Sequence, residues 1–350
     1  MIDWPLAQRL ADFVAGRPDA RAPRTDLQAL AEDSAARVIA YTGLEPARPL
    51  PAAEGIGRPE WIRANVAAMR ALIDPTLERV GTRLGPAKPA LDLATGVVMT
   101  AEVGVLLGFL AQRVLGQYEL VLLDTAPEER PPRLLFVLPN LGGAARAFGA
   151  DEREFVTWVA LHEVTHAVQF AGVPWLQPHL AAMVRELLDG AELRIDAKRA
   201  LRLPRTGDLQ RLANAVRTGD LFSLVANPRE RATLDRMQAT MAVIEGHAEH
   251  VMDAVGAPLL PSLPKLRAAL DARRRSQSAP ARLLQRMLGL ELKLRQYDMG
   301  KRFCDAVVRE GGVAALNRVW HSPETLPSLA EIDDPSSWLR RTGVPPLLSA

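Results

Sequence analysis

The chain has 350 residues, and its 43 lysines and arginines nearly balance its 41 aspartates and glutamates, for a formal charge of +2. This balance gives no electrostatic case for binding nucleic acid, and no nucleic-acid-binding motif accompanies it. The 48% hydrophobic content suits a globular protein that can bury a large core. The single cysteine, Cys304, excludes an internal disulfide, and no secretory signal is recognisable, so we predict a cytoplasmic protein.

Helical patterns dominate the chain. Residues 25–43 open on a capping threonine and close on a glycine, and residues 58–73 follow a connector rich in proline and glycine. The longest apolar stretch, from about 92 to 115, is interrupted by Glu102 and three glycines. It therefore falls short of the roughly 20 consecutive apolar residues that a membrane span needs. We predict a buried helix there and no membrane association.

Two short β-rich runs come next, "YELVLL" (118–123) and "RLLFVLP" (133–139), separated by a charged, proline-rich connector. They predict an antiparallel pair joined by a long loop. The predicted fold class is therefore mainly α (α+β), with a small antiparallel sheet beside the helix that carries the motif below. The run "RLLFVLPN" could hold an extended substrate as an added strand. We predict an N-terminal helical region over 1–90 and a second domain over 91–350.

The segment "FVTWVALHEVTHAVQFAG" (155–172) places two of the six histidines four positions apart in an otherwise apolar helix. Positions i and i+4 share a helix face, so His162 and His166 can direct two imidazole nitrogens at one metal ion. Glu163 lies about 100° around the helix and can reach a water on that metal without ligating it. This H-E-x-x-H pattern indicates zinc. Two buried core histidines are the alternative, which costs free energy unless a partner compensates.

A third zinc ligand has to come from another element. In "MAVIEGHAEHVMDAVG" (241–256), Glu245, Glu249 and Asp253 share one helix face. We choose Glu245 as the ligand, because Gly246 beside it leaves room for another helix to approach. Glu249, one turn further on, is expected to accept a hydrogen bond from the free ring N–H of a ligating histidine. The alternative is an acidic helix face exposed to solvent.

The segments "WVALHEVTHAVQF" and "EGHAEHVMD" look like a gluzincin, in which a glutamate from a later helix completes an H-E-x-x-H site. Together with "GLELKLRQYDMGKRF" and "GGVAALNRVWHSPETLP", they resemble a bacterial family of zincin-like metallopeptidases. Its members are described as hydrolases associated with the biosynthesis of a deazaflavin coenzyme. The resemblance runs from about residue 60 to the C-terminus and implies that 91–350 is a zincin-like metallopeptidase domain. This chain has Glu249 where the usual pattern has aspartate.

These observations predict a zinc-dependent metallopeptidase or amide hydrolase that acts on a peptide or protein. The ion would be Zn²⁺, held by His162, His166 and Glu245, and Glu163 would act as general base on a zinc-activated water. The developing oxyanion also needs a donor. The candidates are Tyr297, His250, His247 and Arg295. Tyr297 is favoured as a catalytic residue because polar groups crowd its segment, although an amphipathic core tyrosine explains it equally well.

Two other functions stay open at this point. The first is a catalytically silent, zinc-stabilised scaffold or assembly factor, which would have no use for the base Glu163. The second is a membrane-bound protease that uses residues 92–115 as an anchor. The sequence predicts neither the substrate nor the oligomeric state.

Overall fold

The computed structural model describes residues 2–17, 22–83, 88–119, 131–192, 228–275 and 290–343. Within these ranges the protein is mainly helical with one small sheet, which confirms the predicted fold class. The elements in chain order are α1 (Trp4–Ala15), α2 (Leu27–Thr42), β1 (Ala53–Ile56), α3 (Arg58–Arg83), α4 (Lys88–Ala111), β2 (Gly116–Glu119), β3 (Arg133–Val137), α5 (Leu138–Ala147), α6 (Glu152–Gly172), α7 (Leu176–Glu192), α8 (Pro228–Gly256), α9 (Leu263–Arg275), α10 (Leu290–Leu316), α11 (Leu329–Asp333) and α12 (Pro335–Arg341).

The chain forms two compact units, each assembled from separate stretches of sequence. The first contains Met1–Gln28, Pro51–Val156 and Leu188–Leu203, and the second contains Ala29–Leu50, Thr157–Leu187 and Pro204–Ala350. Helix α6 begins in the first unit, and its part from Thr157 onward, which carries both motif histidines, belongs to the second. The division at residue 90 that the sequence suggests stays a prediction.

The sheet belongs to the first unit and has the strand order β1-β3-β2. An antiparallel pair is present as β2 and β3, with Tyr118 opposite Leu134. Of the first predicted run, residues 120–123 lie outside the described residues. The sheet is nevertheless mixed, because β1 pairs with β3 in parallel, with Ala53 opposite Leu134. The sequence did not reveal β1, which lies within the connector rich in proline and glycine. The predicted position of the sheet beside the motif helix stays a prediction.

Strand β3 cannot take up a substrate strand, so that prediction is wrong. Its backbone is paired with β1 along one edge and with β2 along the other. An added strand needs free N–H and C=O groups along an edge, and a central strand has already used these groups.

The predicted apolar helix is present as α4, but it is not fully buried. It packs closely on α1, and a methyl group at Gly108 would lie 2.6 Å from the backbone oxygen of Ala11. Nearer its start, the helix exposes Val97 to 64% and Val98 to 54%. In the part of the chain that the structure describes, no helix has the length and apolar character needed to span a membrane.

The second unit is built around α8 and α10, which pack against each other over a long contact. Helix α10 carries Cys304, whose side chain is fully buried. Burial, reinforced by the charge of Asp305, raises the pKa of this thiol far above its usual range. The helix breaks near its end at Gly312, which adopts the positive φ of 73° that glycine tolerates best.

Candidate metal centre

Helix α6 presents polar side chains from inside an almost entirely apolar segment. Its start is capped by Asp151, whose Oδ1 accepts a hydrogen bond from the backbone N–H of Glu154 at 3.0 Å. Apolar residues on all sides of the helix are buried, as expected for a helix in a protein interior. Against this background the buried polar residues of the helix stand out. They are Glu163, Thr165, His166 and Gln169, with His162 partly buried beside them.

Three side chains from α6 and α8 converge on one point. The Nε2 atom of His166 lies 3.3 Å from Nε2 of His162 and 3.4 Å from Oε2 of Glu245. The distance from His162 Nε2 to the same carboxylate oxygen is 3.7 Å. Ligand atoms bound tetrahedrally to zinc at about 2.0–2.2 Å lie roughly 3.3–3.6 Å from one another. Two imidazole nitrogens and one carboxylate oxygen therefore fit a zinc ion in both chemistry and spacing.

This group is the one cluster of potential metal ligands found among the described residues, and its ligand atoms all lie within 4.8 Å of one another. The i, i+4 spacing of His162 and His166 places both rings on one face of α6. Glu245 comes from α8, 79 positions after His166, so only the tertiary fold brings it there. The structure thus brings together the three residues that the sequence suggests as ligands.

The charges around His166 favour a cation at this point. Burial alone would lower the pKa of His166, but the carboxylates of Glu245 and Glu163 outweigh it and raise the pKa to about 9. Glu163 is itself buried and follows His162 directly on α6. A site that holds a proton this firmly when no metal is present has the negative potential that a divalent cation requires.

Gln169 lies one turn after His166 and contacts it directly. Its Oε1 atom is 2.9 Å from Nδ1 of His166, the ring nitrogen that faces away from the ligand cluster. Its Nε2 atom is 3.0 Å from the backbone oxygen of Ile244 and 2.9 Å from Nδ1 of His247. Gln169 was not among the residues predicted from the sequence, although a glutamine three positions after a proposed ligand in an apolar helix was a usable signal.

Glu249 contacts a different group from the one expected. It forms an ion pair with Arg267 of α9, which also donates to Oδ1 of Asp253 at 2.8 Å. Lys301 of α10 also pairs with Asp253: its Nζ atom lies 3.2 Å from Oδ2 of Asp253 and 2.6 Å from Oδ2 of Asp305. For His166, Gln169 occupies the position that we expected Glu249 to take. A contact of Glu249 with His162 stays a prediction.

His250 joins three helices on the side of α8 that faces α10. Its Nδ1 atom is 2.7 Å from Oδ1 of Asp305, and its Nε2 atom is 2.8 Å from the hydroxyl of Tyr41 on α2. Burial, reinforced by Asp305, raises the pKa of Tyr41, so this hydroxyl stays protonated. Both ring nitrogens of His250 therefore have partners within the helix packing.

His247, Tyr297 and Arg295 are the other residues suggested as donors to the oxyanion. His247 is fully buried, and its ring lies edge-on against Trp320 with a centroid distance of 5.3 Å. Burial, with smaller effects from His250 and His166, lowers the pKa of His247 to about 3 and keeps the ring neutral. The side chains of Tyr297 and Arg295 lie outside the part of the molecule that the structure describes, so their roles stay predictions.

Comparison with known proteins places this site in a family context. A sequence model of a zincin-like metallopeptidase family matches residues 2–339. A solved structure from Chloroflexus aurantiacus, described as "a putative hydrolase with a novel fold", superposes with a TM-score of 0.69 at 30% identity. The alignment covers 98% of this chain and 99% of that one. No curated protein matches. Because the family match extends over nearly the whole chain, this protein belongs to the zincin-like metallopeptidase family.

Proposed function

We propose that the protein is a zinc-dependent peptidase or related amide hydrolase of the gluzincin type. The observation that carries this proposal is the convergence of His162, His166 and Glu245 at distances that suit one zinc ion. The family to which the chain belongs supports hydrolysis as the reaction. We further propose that the substrate is a peptide or protein and that the enzyme acts in the cytoplasm.

A zinc ion at this point would polarise the substrate carbonyl and make water acidic enough to lose a proton near pH 7. Glu163 then removes a proton from the water as its oxygen forms a bond to the carbonyl carbon. The same carboxyl group returns the proton to the leaving nitrogen as the C–N bond breaks. His162, His166 and Glu245 would hold the zinc ion during these steps. Burial of Glu163 keeps bulk water away from this proton transfer.

The retained base argues for an enzyme over the scaffold alternative. Structural zinc sites have four protein ligands and have no need of a general base. Among the described residues three ligands converge, and Glu163 follows the first of them on the same helix. This composition supports a catalytic site, which keeps one position for water or substrate.

The test compares the wild-type protein with Glu163→Gln on a peptide library, with zinc content measured in the same samples. Gln keeps the size of the side chain and loses the base, so zinc should stay near one ion per chain while cleavage falls about 100-fold or more. Glu154→Gln on the same helix serves as the matched control and should cleave like the wild type. Equal cleavage by Glu163→Gln would place the activity elsewhere and favour the scaffold. Zinc content that survives replacement of both motif histidines by alanine would refute the site itself.

A further inference from the structure

Gln169 is the one fully buried amide side chain that touches both helices of the ligand cluster in the described part of the protein. It lies on α6, three positions after His166, and its side chain is completely shielded from solvent. Its contacts on α8 are the backbone oxygen of Ile244 and the ring of His247. These two residues lie on either side of Glu245 along the chain. A single amide therefore joins one ligand to the segment that carries another.

The carbonyl of Ile244 determines which way this amide faces. A backbone oxygen can only accept hydrogen bonds, so the group 3.0 Å from it has to be the NH₂ of Gln169. With the amide reversed, two acceptor oxygens would face each other inside the protein, at the cost of an unsatisfied buried group. The oxygen of Gln169 is thereby directed at Nδ1 of His166.

The tautomers of two histidines follow from this orientation. Because the amide oxygen can only accept, Nδ1 of His166 has to carry a hydrogen. Once zinc has displaced the second proton of the ring, the lone pair of Nε2 is directed at the ligand cluster. The second hydrogen of the amide NH₂ points to Nδ1 of His247, which has to accept and therefore carries its own hydrogen on Nε2. The two rings are thus required to adopt opposite tautomers.

We infer that Gln169 is a positioning residue of the metal site, which orients His166 for metal binding and holds the Glu245 segment of α8 at ligand distance. This inference rests on the proposed zinc site. Partners of ligating histidines typically influence metal affinity by about 10–100-fold. Gln169 acts on two of the three ligands, so its removal should weaken the site as a whole.

The first test measures the dissociation constant of zinc by competition with a chelator. Gln169→Leu, which is similar in size and makes none of the three hydrogen bonds, should weaken zinc binding by about 10–100-fold. The matched control is Thr165→Val on the same helix, because Thr165 is equally buried and, among the described residues, its hydroxyl donates to the backbone oxygen of Leu161 at 2.6 Å. The control should stay within about threefold of the wild type, since it leaves the ligands and their partners unchanged. Wild-type affinity in Gln169→Leu would overturn the inference.

Gln169→Glu separates the two roles. Glutamate still offers an oxygen to His166 but no longer donates to the carbonyl of Ile244. We expect a loss of zinc affinity smaller than that of Gln169→Leu but larger than that of Thr165→Val. Affinity equal to that of the wild type would show that the link to α8 contributes nothing.

The second test needs no variant at position 169 and thus remains valid if those variants do not fold. Nitrogen NMR of histidine-labelled, zinc-loaded wild-type protein reports which ring nitrogen carries the hydrogen, with assignments from single histidine substitutions. We expect hydrogen on Nδ1 of His166 and on Nε2 of His247. Hydrogen on Nδ1 of His247 would overturn the inference. If the wild type binds no zinc, the proposed function fails; if it binds zinc and the tautomers disagree, only the role of Gln169 fails.

Discussion

Gly246 of α8 and Gly300 of α10 meet backbone to backbone. A methyl group built on Gly246 would lie 2.1 Å from the carbonyl carbon of Gly300, and one built on Gly300 would lie 1.8 Å from the backbone oxygen of Ala242. No rotation of a side chain can relieve contacts of this kind, because backbone atoms make them on both sides. The glycine next to the proposed ligand Glu245 thus fixes the closest approach of the two helices, as its position in the sequence suggested.

Gly246→Ala should therefore destabilise the protein even though alanine favours helices. Overpacking typically costs about 1–3 kcal/mol, and a backbone contact belongs to the upper part of this range. Urea denaturation measures the free energy of unfolding. Gly256→Ala at the end of the same helix is the matched control, because its methyl group would meet its nearest neighbour at an ordinary 3.4 Å. Equal stability of Gly246→Ala and this control would contradict the close backbone contact between α8 and α10.

Glu245→Ala and Glu249→Ala should have different effects. Loss of Glu245 removes one of three ligand atoms and should abolish stoichiometric zinc under chelator competition. Loss of Glu249 removes a partner of the largely buried Arg267, so its main effect should be on stability, about 1–3 kcal/mol. Metal analysis and urea denaturation on both variants separate the two outcomes. A larger loss of zinc in Glu249→Ala would reverse the assignments.

Zinc binding should strengthen with pH up to about 9. Despite the opposing effect of burial, Glu245 and Glu163 hold a proton on His166 with a pKa of about 9 in the metal-free protein. Zinc has to displace that proton, so its affinity should rise about tenfold per pH unit below pH 9 and level off above it. Chelator competition between pH 6.5 and 9.5 measures this slope. A flat profile would show that His166 is neutral before zinc binds.

The stability of the metal-free protein should change with pH in the opposite direction. The pKa of His166 is about 9 in the folded state, above the ordinary histidine value of 6.5. The proton therefore stabilises the folded state fully below pH 6.5, and this contribution is lost as pH rises through 9. Its size is on the order of 3 kcal/mol. Urea denaturation with excess chelator at pH 6 and pH 9.5 measures it, and His166→Gln should show a smaller difference between the two.

The motif helix could be predicted because its signal is local. Two histidines at i and i+4 share a face wherever a helix forms, and the apolar residues around His162 and His166 required a helix. Glu245 was chosen because Gly246 beside it admits a close helix, but that helix is α10, whereas the two motif histidines lie on α6. The family resemblance pointed to the same residues.

The features missed from the sequence depend on distant partners. Strand β1 has four residues and no alternation of apolar and polar side chains. It is a strand because its backbone pairs with β3, which its own sequence does not indicate. The role of Gln169 depends on Ile244 and His247, 75 and 78 positions away. Glu249 was assigned to a histidine because nothing in its own helix indicated that Arg267 of α9 would pair with it.

Cys304 makes the protein convenient for experiments that attach probes to thiols. The chain has no second cysteine, and this thiol is fully buried with its pKa raised far above its usual range. Thiol reagents react with the exposed thiolate, so the folded wild type should resist them. A cysteine introduced at an exposed position such as Val97 could then be labelled alone, without removing the native one. The rate at which Cys304 itself reacts would measure how often local unfolding of α10 exposes the thiol.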